Sequence, residues 1–335
     1  MKKLLVWDGD QSLWNGVIME GDIPALSSGR LELCQELCDR GVLQSVASHN
    51  NPDEVEAALH SLGLASMFLY NYAGIGVPKS AMIRSIVKDY DLSRLSDVVF
   101  LDDDAINRLE VQTSMPEVIV EDPKEVNDVI ARHFTKEKYT EEDRLRVRRY
   151  QSEKQRKTIA AEYPGDTQAF LRSCGLEMTL SLADGKDMAR VYDLAARANR
   201  MAAIAEPLTP EVLNSKQGRI TVAYITDKYG DYGLSAFIIA AGDTIDGIVV
   251  SCRLQGRGIG SALLGSVLNR LISRGSGRIS ASWVETEYNA GMRSLYQWYG
   301  FDISQIPPDK VVALLNRQTL FRDKILPDWV KVLWH

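Results

Sequence analysis

Short apolar runs recur along the early part of the chain, and each stops at acids or a hydroxyl. The stretch LLVWDGDQSLWNGVI (residues 4–18) breaks at Asp8, Asp10 and Ser12. VLQSVASHN (42–50) carries Ser48 near its end, and VVFLDDD (98–104) finishes in Asp102, Asp103 and Asp104. Between them the apolar spacing turns helical, over 28–40, over 53–62 after Asn51-Pro52, and from Lys79 after the Gly76-Val77-Pro78 turn. A further short strand is expected at 118–120. Buried strands alternating with helices predict a doubly wound parallel α/β sheet. Ligands of such sheets bind at the carboxyl edge, where these polar residues fall.

After residue 135 the pattern changes. A charged helix is expected over 140–162, opened by Thr140 as an N-cap with acids in the first turn, and a shorter one over 166–175. From 177 strands dominate: 177–182, 220–227, 233–241, 244–252, 278–284 and 329–333, with helices at 187–199, 209–214, 261–274 and 290–299. The organisation predicted is a doubly wound domain over 1–135, a helical linker over 136–176 and an α+β domain over 177–335.

Composition narrows the function classes. At 335 residues the chain is long for one core, and with 45% apolar and 25% charged residues it is ordinary for a globular protein. A net charge of −6 gives no reason to expect nucleic acid. The four cysteines (Cys34, Cys38, Cys174, Cys252) are too scattered for a disulfide framework, and four histidines at this spacing assemble no zinc site. No run approaches the ~20 apolar residues of a membrane span, and MKKLLVWDGD turns acidic too early for a signal peptide, so a cytoplasmic setting is expected.

The candidate chemistry lies in two places. In an extended chain residues i and i+2 share a face, so Asp8 and Asp10 are expected to point into one cleft. Carboxylates so placed repel unless a cation lies between them or one holds a proton, and oxygen-only ligands suit Mg²⁺. Ser48, Lys79 and the Asp102-Asp103 pair could add hydrogen bonds, a cation and further ligands for phosphoryl transfer. The second place is the turn Gln255-Gly256-Arg257-Gly258-Ile259-Gly260, between a strand and a helix, where backbone N–H groups can approach a phosphate. Cys252 stands just before it, either as an acyl-carrying thiol or as a small buried hydrophobe.

Together Asp8, Asp10, Ser48, Lys79, Asp102 and Asp103 resemble the four ordered motifs of the haloacid-dehalogenase (HAD) phosphatase superfamily. Gln255-x-x-Gly258-x-Gly260 followed by Asn289 and Tyr296…Gly300-Phe301 resembles the GNAT acyltransferase fold. The succession, with the distinctive DKYGDYGL and VVSCRLQGRGIGSALL segments, resembles the FkbH-like glyceryl transferase/phosphatase family of polyketide biosynthesis from residue 4 to 301. The resemblance implies that 1,3-bisphosphoglycerate is dephosphorylated and its glyceryl group loaded onto the pantetheine thiol of an acyl carrier protein. It implies Asp8 as nucleophile or metal ligand, Asp10 as acid/base, and Mg²⁺ held among Asp8, Asp10, Asp103 and Asp102. Ser12, Ser48, Asn50 and Lys79 would hold the phosphate, and Cys252 a glyceryl thioester. Gln255, Gly256, Arg257, Gly258, Gly260 and Asn289 would line the carrier arm, with Asn199 and Asp231 nearby. The chain departs from the family's usual opening at Gly9, Gln11, Ser12 and Asn15, and has His49 where Lys is common. A phosphatase fused to a coenzyme A-dependent acyltransferase, and a non-catalytic synthase scaffold, are the alternatives.

Overall fold

Leu4, Leu5, Val6 and Trp7 form β1, and all four are buried. A strand without a polar face must be covered on both sides, as inner strands of parallel sheets are. β1 lies at the centre of a five-stranded parallel sheet with β2 (Leu43–Ser48), β3 (Tyr72–Ala73), β4 (Val98–Leu101) and β5 (Ile119–Glu121), in the order β3-β2-β1-β4-β5. The helices between them are α1 (Arg30–Asp39), α2 (Pro52–Ser61), α3 (Lys79–Asp89) and α4 (Ala105–Ser114), with α5 (Val126–His133) after β5. Local signals set their starts: the Asn51 side chain accepts from Asp53 N ahead of α2, and Asp104 accepts from Ile106 N at 2.7 Å ahead of α4. The register sets Trp7 opposite Leu101, so Asp8 and Asp102 leave neighbouring strands at one level, where the strand order reverses. The structure, a computed structural model, describes residues 2–92, 94–197, 202–287, 289–306, 310–316 and 326–335.

The chain divides into two compact units, 1–158 and 159–335, and the division falls inside α6 (Glu141–Glu162). The stretch read as a linker is therefore not a separate element. Val147 and Tyr150 of α6 are buried in the first unit's core, where Tyr150 Oη donates to Tyr90 O at 2.8 Å and Arg146 donates to Gly41 O at 2.9 Å. Gly41 is required here: its φ is +78°, and a Cβ would meet Asp143 O at 1.9 Å. α7 (Thr167–Cys174) instead buries Leu171 and Cys174 in the second unit.

In the second unit one mixed sheet carries the core. It comprises β6 (Leu176–Leu182), β8 (Ile220–Asp227), β9 (Gly230–Ala241), β10 (Thr244–Val250), β11 (Arg278–Val284), β12 (Asp302–Ile306), β13 (Lys310–Asn316) and β14 (Val330–Trp334), in the order β12-β13-β11-β10-β9-β8-β6-β14. α8 (Met188–Arg197), α9 (Pro210–Ser215), α10 (Ile259–Ser273) and α11 (Gly291–Trp298) complete it. β10 and β11 run parallel but pair only at Thr244↔Ser280 and Ile245↔Ala281. Beyond that point the short β7 (Ala202–Ile204) pairs with β10 at Gly247, Ile248 and Val249. Among the described residues no helix is long and apolar enough to cross a membrane.

Candidate functional site

At the carboxyl edge of the parallel sheet, Asp8, Asp102 and Asp103 each offer a carboxylate oxygen, all lying within 4.8 Å of one another. Asp8 follows β1, its backbone N–H donating to Leu101 O at 2.7 Å, and Asp102 and Asp103 follow β4. Lys79 opens α3 and is almost wholly buried; its ammonium donates to Asp8 and, at 2.7 Å, to Ala47 O. The same nitrogen lies 3.5 Å from Asp102 Oδ2. Burial pushes the Asp8 carboxyl up, Asp102 adds to this, and Lys79 opposes it; the group is raised to about 7. Burial likewise raises Asp102 against the pull of Lys79. One ammonium thus serves two desolvated carboxylates.

The donors fit a hard divalent cation. Asp102 Oδ1 accepts from Asp104 N at 2.9 Å and Asn107 Nδ2 at 3.3 Å, whereas Asp102 Oδ2 is buried with no hydrogen-bond partner. This oxygen accepts no hydrogen bond and has only the Lys79 ammonium at 3.5 Å for countercharge, beside two further carboxylates, and all-oxygen donors of this kind suit Mg²⁺.

Asp10 stands apart from this group. The same-face expectation for Asp8 and Asp10 fails because the extended backbone ends at Trp7. Leu13 N and Trp14 N fold back to donate to Gly9 O at 3.0 and 3.2 Å, and Gln11 takes a left-handed φ of 54°. The Asp10 side chain turns to Trp14 Nε1 and Asn50 Nδ2, accepting from each at 2.9 Å. It is therefore not among the clustered carboxylates and is held separately. Ser48 Oγ accepts from Asn50 N and Asn50 Nδ2 at 3.2 and 3.0 Å, joining both residues to Asp10. Ser12 Oγ accepts from Asp103 N at 3.1 Å and donates to Asp103 Oδ1 at 3.3 Å. Of the acids, Asp102 is the more deeply held and Asp103 is exposed.

Three contributors were not foreseen from sequence. Asn107 reaches Asp102 and, through its Oδ1, meets His49 Nε2 at 3.3 Å. Arg108 donates to Asp102 O and Asp103 O at 2.7 and 2.8 Å, gathering the acidic turn from behind. Both stand on the first turn of α4, whose only clear signal was the Asp104 cap. Trp14 is the third, and it reads as a core residue by type.

In the second unit the Gln255–Gly260 turn joins a 3-10 turn, Cys252–Leu254, to α10. Gly256 and Gly258 adopt φ of 77° and 80°, open to glycine and costly for other residues. The turn is tied down: Trp329 Nε1 donates to Arg257 O at 2.9 Å, and the Arg257 guanidinium donates to Tyr232 Oη, which in turn donates to Asp227 at 3.0 Å. Asp231 accepts from Gly233 N at 2.5 Å, within its own turn. Asn289 is buried and engaged with backbone, accepting from Thr286 N at 2.8 Å and donating to Ala202 O and Val284 O at 3.0 Å. Its amide thus joins β7 to β11 across the divergence of β10 and β11, which is a framework role for a residue read as a carrier-arm contact. The side chain of Cys252, and Asn199 altogether, lie outside the described residues.

Residues 221–301 match the acetyltransferase (GNAT) family, so the second unit contains a GNAT acetyltransferase domain. No curated protein matches the chain. Among solved structures, the ribosomal-protein-S18-alanine N-acetyltransferase of Escherichia coli is 21% identical over 44% of this chain and 98% of its own, with a TM-score of 0.34. Ard1 of Thermoplasma volcanium is 19% identical over 42% of this chain and 97% of its own, TM-score 0.33. The N-terminal part of BF1531 from Bacteroides fragilis, described as containing a phosphatase domain complexed with Mg, is 24% identical over 40% of this chain and 41% of its own, TM-score 0.35. The fold class expected from sequence, a doubly wound parallel sheet followed by a GNAT-like α+β domain, is the one observed.

Proposed function

We propose that the chain is a fused, HAD-like phosphatase and acyltransferase of the FkbH-like kind, taking 1,3-bisphosphoglycerate and delivering its glyceryl group to the pantetheine thiol of an acyl carrier protein. The observation that carries the phosphatase half is the trio Asp8, Asp102 and Asp103 with Lys79 buried among them. Mg²⁺ bound by the three carboxylates would neutralise phosphate charge and orient it. Asp8 is then the nucleophile toward phosphorus, Lys79 and Ser48 steady the phosphoryl oxygens, and Asp10 gives a proton to the departing oxygen. The acyltransferase half rests on the GNAT domain and on Cys252 ahead of its glycine-rich turn.

The two phosphates of the substrate call for different fates. Water attacking the C1 mixed anhydride would discard the activation that acyl transfer needs. That anhydride is therefore spent on a thioester, with the Cys252 sulfur bonding to the carbonyl carbon as phosphate departs. The acid-lined site hydrolyses the C3 monoester, whose alkoxide leaving group needs a proton.

Intact mass spectrometry of the enzyme with 1,3-bisphosphoglycerate, Mg²⁺ and holo carrier protein tests this. A glyceryl increment on the carrier is expected, lost in Cys252→Ala and kept in Cys174→Ala. Asp8→Asn should leave the carrier with a phosphoglyceryl increment. An acetyl increment from acetyl-coenzyme A, with none from the bisphosphate, would favour the simpler acetyltransferase reading that the family match also suits.

A further inference from the structure

Trp14 is buried at 1% exposure, and its indole N–H donates to Asp10 Oδ1 at 2.9 Å while Asn50 Nδ2 holds Oδ2 at 2.9 Å. Both carboxylate oxygens are therefore gripped, one by a rigid ring and one by an amide that Ser48 itself engages. Buried indoles in this fold do not find partners as a matter of course: Trp7 Nε1 and Trp283 Nε1 are buried with no hydrogen-bond partner. The seat of the ring depends on the residue between the two acids. A Cβ on Gly9 would lie 2.6 Å from Trp14 Cζ2 and 3.2 Å from Ser48 Oγ, distances that a ring packed on all sides cannot yield.

We infer that Trp14 is the positioning residue that aims the Asp10 carboxyl at the leaving oxygen of the phosphate ester. The inference rests on the reading of Asp10 as the acid of a phosphatase site. Trp14 acts through Asp10, by removing the side-chain rotations that would carry the proton out of reach.

The test compares two esters that differ in how much they need that proton. Breaking the ester P–O bond of 3-phosphoglycerate expels the glycerate alkoxide, which depends on that proton, whereas p-nitrophenyl phosphate expels a stabilised phenolate, which hardly does. In the full chain with Mg²⁺, Trp14→Phe keeps the ring and loses the N–H. Its kcat on 3-phosphoglycerate should fall by about 10- to 100-fold, part of the ~10²–10⁴ that general acids supply. The loss on p-nitrophenyl phosphate should stay within about 3-fold, with KM for both little changed. Independently of turnover, one of the six indole N–H resonances in ¹⁵N-labelled protein should vanish in Trp14→Phe and move in Asp10→Asn. Equal losses on the two esters, unchanged kinetics, or an indole resonance indifferent to Asp10→Asn would each overturn the inference while leaving the phosphatase reading standing. A wild-type chain inactive on both esters, with the indole still following Asp10, would overturn the phosphatase reading, and the positioning role would fall with it.

Discussion

Lys79 holds together residues that would otherwise repel. Asp8 and Asp102 are desolvated carboxylates facing one another, and a single buried ammonium lies against both. Removing one partner of a buried charged group leaves the others uncompensated, at a cost of about 3–5 kcal/mol. Lys79→Met should destabilise the metal-free chain by that order in urea unfolding, and Mg²⁺ should recover part of the loss by supplying the missing charge. The same crowding gives a pH dependence with a definite sign. Asp8 is raised from 3.8 to about 7 by burial, so the folded chain prefers it protonated. Its contribution to stability is whole below pH 3.8 and fades as pH rises through about 7. In EDTA, melting followed by circular dichroism should therefore occur at lower temperature at pH 8 than at pH 5. Added Mg²⁺, which binds the ionised carboxylates, should narrow that gap. A gap that persists unchanged in saturating Mg²⁺ would separate the acid trio from metal binding.

At the scale of elements, the start of α6 shows the opposite sign. Thr140 N donates to Asp143 Oδ2 at 2.9 Å and Asp143 N donates to Thr140 Oγ1 at 3.2 Å, a reciprocal cap, while Lys136 and Arg146 pair with the same carboxylate. Burial works to raise Asp143, but the hydrogen bonds from Lys136 and Thr140 and the charge of Arg146 outweigh it and hold the group at about 2. Stability from this cap is present above pH 3.8 and lost as pH falls through about 2. Asp143→Asn should cost about 1–3 kcal/mol near neutrality by urea titration, with the difference from wild type shrinking toward pH 2. Elements with strong local signals were legible in the sequence: the apolar β1 and β4, the Asn51-Pro52 start of α2, and the Thr140 start of α6. β7 was not, because three residues paired to β10 owe their place to the divergence of β10 and β11 rather than to any pattern of their own. α4 and α5 were also passed over, and with α4 went Asn107 and Arg108. In the site, residue types and order picked out Asp8, Lys79, Asp102 and Asp103, since strand ends deliver the acids to one edge and the start of α3 brings Lys79 to it. Asp10 was misplaced because a side-chain period valid inside a strand was carried one turn past its end.

For the whole molecule, separate hydrophobic cores in the two units predict two folding equilibria. One core gathers around β1, β2 and β4, and the others lie against the two faces of the nine-stranded sheet. The two candidate ligand sites divide the same way, carboxylates in residues 1–158 and the glycine-rich turn in 159–335. A ligand stabilises what it binds by RT ln(1 + [L]/Kd), about 2.7 kcal/mol at 100 times Kd. Calorimetry of the full chain should therefore resolve a transition that Mg²⁺ raises by several degrees and another that coenzyme A, as a soluble pantetheine donor, raises instead. Asp8→Asn should abolish the first response and spare the second. Arg257 offers the converse: its guanidinium donates to Tyr232 and its carbonyl accepts from Trp329, so contacts with Tyr232 and Trp329 brace the glycine-rich turn. Tyr232→Phe, which releases the guanidinium but keeps the ring, should weaken the coenzyme A response and leave the Mg²⁺ response intact. Should either ligand shift both transitions equally, the two units would have to unfold as one, and the assignment of phosphate and acyl chemistry to separate halves of the chain would lose its thermodynamic support.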